Sequence, residues 1–321
     1  MAHPLAPVPD IGTTVTLRVA TPVGPISVVG EVVEADAERW AVRRRDGSIA
    51  LVEVSTIEAR REVPPGRAAT TTVVELEQVA AFGWRAQETV RLGEWLLRAS
   101  GGFTQRANSV LAVGDPGVGL DAALDLATDW YAERGLTPVV MESAAAPAGL
   151  VARLRERGWS PGTDTYVMSG EVAHALRGMP DAVAAAVASG LELRLEDRPD
   201  EAWYAGYAES GRPLTEAGRA VVEGHPMAVF ASFRDADRAV AVARAAVDAR
   251  WTGLFAVTVA GHRRRGGLGA AITLAALKEA ARRGGRHVYL QVEAHNEPAV
   301  ALYRRLNLKV HHDYRYWASP K

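Results

Sequence analysis

Between Leu254 and Ile272 the chain reads LFAVTVAGHRRRGGLGAAI: an apolar strand, a turn rich in Gly and Arg, then a helix. A strand that passes into a helix through one tight turn calls for helices layered on a sheet. Glycines in the turn let the backbone come close to a ligand and adopt dihedrals that a side chain forbids. The first turn of the helix has amides without internal partners, which suits a phosphate or pyrophosphate. Arg263, Arg264 and Arg265 add positive charge there, and Leu268 and Ile272, four apart, anchor the helix on the sheet. Two other nucleotide sites are excluded. Gly267-x-Gly269 lacks the third glycine of a dinucleotide fingerprint, since Ile272 stands in its place, and no Gly-Lys-Ser/Thr follows. The stretch from Gly114 to Gly119 fails both tests and reads as a turn. For 263–269 alone, a solvated Arg-rich loop that caps a helix stays open as the alternative.

The chain has 321 residues, enough for two or three cores, and its 48% hydrophobic and 23% charged residues are ordinary for globular domains. A formal net charge of -1 gives no surplus for a nucleic-acid backbone, so none is expected as a partner. The absence of cysteine excludes disulfides and a cysteinyl acyl-enzyme. No run of about 20 apolar residues could cross a membrane, and the N-terminus does not read as a signal peptide, so a cytoplasmic protein is expected.

Residues 1–66 read as a loose Pro-rich start and five short strands with tight turns, among them Arg45-Asp46-Gly47. The expected form is a small SH3-like barrel closed off by Pro64-Pro65-Gly66. A second unit spans 73–172, with strands at 94–98, 139–141 and 165–168 and helices at 120–134 and 148–157. A third spans 186–321, with a helix at 201–208 and a strand at 226–233. Ala239–Asp248 is helical by propensity, but Val240, Val242 and Val247 between turn signals favour a strand. A helix over 267–283, a strand over 287–292, a helix over 296–306 and a last strand over 309–317 follow. His311 and His312 on that strand are expected to point to opposite faces, and no metal site is expected. The second and third units share one order, so the fold class is α/β with tandem lobes.

From Val288 the chain gives a strand, then Asn296 as an N-cap, Pro298 in the first helical turn, and Tyr303 on the helix. With Arg264-x-x-Gly267-x-Gly269 and Asn296-x-x-Ala299-x-x-x-Tyr303, the chain resembles the GCN5-related N-acetyltransferases (GNAT). The usual closing Gly-Phe is replaced by Asn307-Leu308, and Asn also tolerates the left-handed helix cap. The resemblance implies acetyl-CoA (coenzyme A) as cofactor. It implies that Val257, Thr258 and Val259 meet the pantetheine arm, that the backbone of Arg264, Arg265, Gly266, Gly267, Leu268, Gly269 and Ala270 holds the pyrophosphate, and that Asn296 and Ala299 flank the arm. Tyr303 is then a general acid to the departing thiolate. More faintly, the layout is similar to an actinobacterial N-acetylglutamate synthase-like family, with 73–172 as a degenerate lobe that lacks the cofactor motif.

Acetyl transfer needs a neutral amine, a polarised carbonyl and a thiolate that can leave. Without cysteine, direct attack in a ternary complex fits. Glu293 at the end of its strand is the favoured base, with His295 second and a surface carboxylate as the bland alternative. The acceptor is expected to be a small amine, with L-glutamate in front. Arg98 and Arg106 would pair with its carboxylates, Asn108 would add neutral bonds, and Trp203 and Tyr207 would shape the pocket. An aminoglycoside-like amine, a protein lysine and a non-catalytic acetyl-CoA sensor are the competing readings. A homodimer stays open.

Overall fold

The computed structural model describes residues 8–11, 13–21, 24–44, 48–62, 71–211 and 214–320; the turns expected at 45–47 and 64–66 lie outside them. Five antiparallel strands come first: β1 (Thr14–Val19), β2 (Ile26–Ala35), β3 (Arg39–Arg43), β4 (Ile49–Glu53) and β5 (Ile57–Glu62). Val15, Leu17, Val28, Trp40, Val42 and Val52 form their core. The expected barrel does not form. The strand order is β4-β3-β2-β1-β5, and no ladder joins β4 to β5. A short 3-10 turn at Val54–Thr56 instead carries the chain to the far edge, where β5 pairs with β1.

The second sheet has eleven strands. Its elements are α1 (Val73–Gly83), β6 (Glu88–Leu92), β7 (Trp95–Ala99), β8 (Val110–Leu111), α2 (Leu120–Ala132), β9 (Val139–Ser143), α3 (Leu150–Glu156), β10 (Ser160–Glu171), α4 (Val172–Gly178), α5 (Ala182–Ala188), β11 (Glu192–Glu196), α6 (Glu201–Ala208), α7 (Glu216–Glu223), β12 (Ala228–Asp235), β13 (Arg238–Asp248), β14 (Trp251–Val259), α8 (Leu268–Arg282), β15 (His287–Glu293), α9 (Glu297–Arg305) and β16 (Lys309–Ala318). The order is β11-β12-β13-β14-β15-β10-β16-β9-β8-β7-β6. The two halves trade strands at the centre: β10 pairs with β15, and the final strand β16 pairs with β9.

β13 is a strand despite its alanines because it lies inside the sheet with α8 packed on it from one side and α6 from the other. Helices this close leave room only for small residues. A Cβ on Gly206 of α6 would stand 2.9 Å from Val242 and 3.1 Å from the Ala239 methyl. On β12, Val229, Ala231 and Phe233 face α8 while Ala228 and Phe230 face the opposite core, the period-two alternation of a strand.

His311 and His312 do not point apart. The β10–β16 register steps from Val167↔His312 to Met168↔Val310, so His311 is the extra residue of a bulge. The bulge sets the two Nδ1 atoms 2.8 Å apart. His312 Nε2 lies 2.7 Å from buried Glu77 of α1, and His311 Nε2 lies 2.8 Å from the Thr71 carbonyl.

The small sheet rests on the C-terminal end of α8. Arg43 donates to the carbonyls of Ala281 and Arg282 in the last turn of that helix. Arg286 holds buried Glu31 at 2.7 Å, and Arg282 holds Glu34 at 2.5 Å. No helix among the described residues is long and apolar enough to cross a membrane.

Candidate active site

The parallel ladder between β14 and β15 runs from Trp251↔His287 to Leu254↔Leu290 and stops there. Both strands continue, β14 to Val259 and β15 to Glu293, and a cleft opens between their last residues. At the point of separation β14 bulges. Ala256 and Val257 lie between the β13 pairs Arg244↔Phe255 and Val242↔Thr258, opposite the single residue Ala243. Ala256 takes a left-handed conformation, φ 54°, which a residue with a Cβ adopts only where its surroundings hold it. The bulge takes these backbone groups out of the β13 ladder and leaves them beside the cleft.

Beyond β14 the chain makes a 3-10 turn at Gly261–Arg263 and enters α8 through Gly267, φ 83°. Arg265 is also left-handed, φ 63°. The first helical bond is Ala271 N–H to Gly267 O, so the amides of residues 265–270 find no acceptor among the described residues. Gly269 is where α8 meets α9, since a Cβ there would lie 3.4 Å from Leu302. Arg264 Nε donates to Val259 O at 3.1 Å, and Arg263 pairs with Asp235. Six free amides, a helix N-terminus and three arginines beside an open cleft fit a pyrophosphate with a long arm attached.

Across the cleft, Asn296 caps α9. Its side chain accepts from Ala299 N–H at 3.3 Å, and its own amide donates to Glu293 O at 2.9 Å. This cap aims α9 so that Asn296, Ala299 and Tyr303, one turn apart each, line the cleft. Burial pushes the Tyr303 hydroxyl up to about 12, so it keeps its proton at neutral pH.

A family model described as "Probable histone acetyltransferase Rv0428c C-terminal" matches residues 70–317. The chain belongs to that family. It is 30% identical, over 96% of its length and 95% of the other's, to the protein named "Probable histone acetyltransferase Rv0428c" of Mycobacterium tuberculosis (strain ATCC 25618 / H37Rv). It shares its fold with a GCN5-related N-acetyltransferase from Kribbella flavida, at TM-score 0.59 and 18% identity, covering 80% of this chain and 97% of that one. A tandem GNAT protein from the clavulanic acid biosynthesis pathway matches at TM-score 0.51 and 14% identity, over 80% and 91% of the two chains. The protein is an acetyl-CoA-dependent acyltransferase of the GNAT superfamily.

The cleft of this acetyltransferase encloses about 380 Å³. Val257, Thr258, Glu293, Asn296, Ala299, Tyr303, Arg106 and Tyr207 lie on its wall. Val259 and the backbone from Arg264 to Ala270 form the turn just beyond it. Glu293 is exposed and pairs with His295 at 3.3 Å.

Three residues expected at the acceptor lie elsewhere. Arg98 is buried, and its guanidinium donates to Ser109 O at 3.1 Å and Ser109 Oγ at 2.8 Å. Asn108 accepts from the amides of Ser100 and Gly102 and donates to the carbonyls of Phe103 and Thr104, which uses its full hydrogen-bonding capacity. Trp203 is in the core, with Nε1 on Ala231 O. Arg98 and Asn108 instead shape the turn that presents Thr104, Gln105 and Arg106 to the cleft.

The sequence reading missed Trp84, Phe255, Tyr314 and Tyr316, which also line the cleft. The alternation of His312, Tyr314 and Tyr316 on β16 was the available signal for the last two. Nothing in the sequence brings Trp84, at the end of α1, to this place.

Proposed function

We propose that this acetyltransferase modifies the side-chain amine of a lysine in a protein. The observation that carries this reading is the match over 96% of the chain to a relative named a probable histone acetyltransferase. Exposed Glu293 on the cleft wall supports it, since a basic tail is drawn to a carboxylate. When bound, acetyl-CoA supplies an acetyl group activated as a thioester.

The protein's own residues divide the work. The amides of 265–270 and the arginines beside them hold the pyrophosphate. The freed backbone of Val257 and Thr258 orients the pantetheine arm, with Asn296 and Ala299 opposite. Glu293, with His295 beside it, receives the proton of the amine through water. The amine nitrogen bonds to the acetyl carbon, the carbon–sulfur bond breaks, and Tyr303 gives its proton to the sulfur. The middle lobe of 73–172 takes no acetyl-CoA.

The test is thiol release from acetyl-CoA with a lysine-rich histone-tail peptide, with L-glutamate and an aminoglycoside run beside it. Saturable release with the peptide and a mass gain of one acetyl group on a lysine are expected. Release with glutamate alone would overturn the lysine reading and favour the second one, a small amino-acid acceptor, for which Arg106 on the cleft wall speaks.

A further inference from the structure

Two arginines meet on two aromatic rings of the cleft wall, Arg106 from the cleft and Arg244 from the buried side. Arg106, on the turn after β7, has its guanidinium 5.9 Å from the centre of the Trp84 ring and 5.8 Å from that of Phe255. Arg244, from β13, lies 5.2 Å from the centres of the same two rings. Arg244 is fully buried and donates through Nη1 to Gly83 O at 2.9 Å. Its Nε and Nη2, and Nε of Arg106, find no acceptor among the described residues.

A buried cation is ordinarily matched by a carboxylate. Here the aromatic faces take that place. Tyr207 of α6 and Tyr314 and Tyr316 of β16 surround Arg106. Tyr289 of β15 lies beside Arg244, and burial pushes its hydroxyl well above the usual value. His225, after α7, is pushed down to about 4, first by burial and then by Arg244. Burial lowers the Arg244 guanidinium to about 10, so it stays charged. Two carboxylates act on Tyr289: Glu77, engaged by His312 at 2.7 Å, and Asp248, at the end of β13. Among the described residues of the cleft wall the one carboxylate is Glu293, which is exposed, and Tyr303 of α9 is protonated.

We propose that Arg106 and Arg244, held on Trp84 and Phe255 with no carboxylate opposite, make the cleft floor electropositive, so that it takes the acceptor lysine as the neutral amine and stabilises the coenzyme A sulfur as thiolate. A like charge disfavours an ammonium and an opposite charge favours a thiolate. The field readies both ends of the transfer: the amine that must attack without its proton, and the sulfur that leaves with the bonding pair. It explains how an exposed Glu293 suffices as proton acceptor. The acceptor half rests on the lysine reading; the sulfur half does not.

Arg106 carries the test, because replacing fully buried Arg244 would mix an effect on folding with one on chemistry. In Arg106→Gln, with Arg106→Lys as the charge-keeping control, two quantities are followed against pH. One is the thiolate absorbance of coenzyme A bound to the protein, which needs no acceptor. The other is kcat for acetylation of the histone-tail peptide, which reports the ionisations of the bound state. For Arg106→Gln, both the thiol titration and the rising limb of kcat are expected to move up by about one pH unit, while Arg106→Lys stays near the native protein. An unmoved thiol titration overturns the proposal, and so does an unmoved limb with a peptide that is acetylated. If no peptide is acetylated at any pH, the lysine reading fails and the thiol titration still decides the field. A rise in KM for glutamate with both titrations fixed would make Arg106 a carboxylate anchor instead.

Discussion

The two halves of the large sheet start alike and end differently. In each, two parallel strands flank a turn and a helix: β14, α8 and β15 in one, β8, α2 and β9 in the other. β14 and β15 part after Leu254 and Leu290. The chain after β8 stays tied to the chain after β9, with Ala112 N–H on Met141 O at 3.4 Å and Gly114 N–H on Ala145 O at 3.0 Å. The turns differ as well. Among the described residues the amides of 265–270 have no acceptor, while the amide of Asp115 meets Glu94 Oε2 at 2.6 Å and that of Gly117 meets Asp115 Oδ1 at 2.8 Å. One turn carries arginines; the other is filled by the protein's own carboxylates. A phosphate cradle is thus a set of donors the fold leaves unsatisfied, and the middle lobe fills part of its turn with its own carboxylates.

Removing what only the open half has tests this contrast. The largest effect is expected from Tyr303→Phe. General-acid assistance is worth about 100-fold or more, so kcat should fall by that order while the dissociation constant for acetyl-CoA stays within about twofold. Unchanged kcat would make Tyr303 a packing residue, no different from the aromatic residues of the middle lobe. Next comes Gly267→Val. A β-branched residue in a left-handed position costs roughly 1–2 kcal/mol, and an exposed turn escapes that strain by moving its amides. Affinity for acetyl-CoA, measured calorimetrically, should weaken about 10-fold, with the circular dichroism unchanged. Undiminished affinity would remove these amides from the cradle.

The open half was legible because its function is local. Arg264-x-x-Gly267-x-Gly269 and Asn296-x-x-Ala299-x-x-x-Tyr303 each lie within one turn and helix, and the elements formed within a residue or two of their expected ends. β13 was legible through its valines, although alanine propensity argued for a helix. What depends on distant chain was not legible. The charge and spacing of Arg98 and Asn108 do not reveal that Ser109 and the Gly101–Gly102 turn use up their hydrogen bonds. A one-residue bulge reversed His311. The five N-terminal strands were read, but which edges would meet is decided by pairing across the sheet, and β5 went to β1. Trp84 reaches the cleft only because α1 lies across β13 and β14.

The smallest effect is expected in the middle lobe, from Glu94→Ala. Its carboxylate is exposed and makes one charged hydrogen bond to the Asp115 amide, worth about 1–2 kcal/mol. Losing it should lower the melting temperature by a few degrees, about 2–4 °C per kcal/mol for a chain of this order. It should not create a second cofactor site. The backbone bond from Gly114 to Ala145 still shuts the cleft, and no arginine replaces the lost carboxylate. Calorimetric titration with acetyl-CoA should therefore keep one equivalent per chain. Two equivalents would mean that a single side chain separates the halves, and that closure of β8 on β9 gives way to a ligand. One equivalent with a lowered melting temperature assigns Glu94 to stability and leaves the closed backbone as the reason the middle lobe is not a second active site.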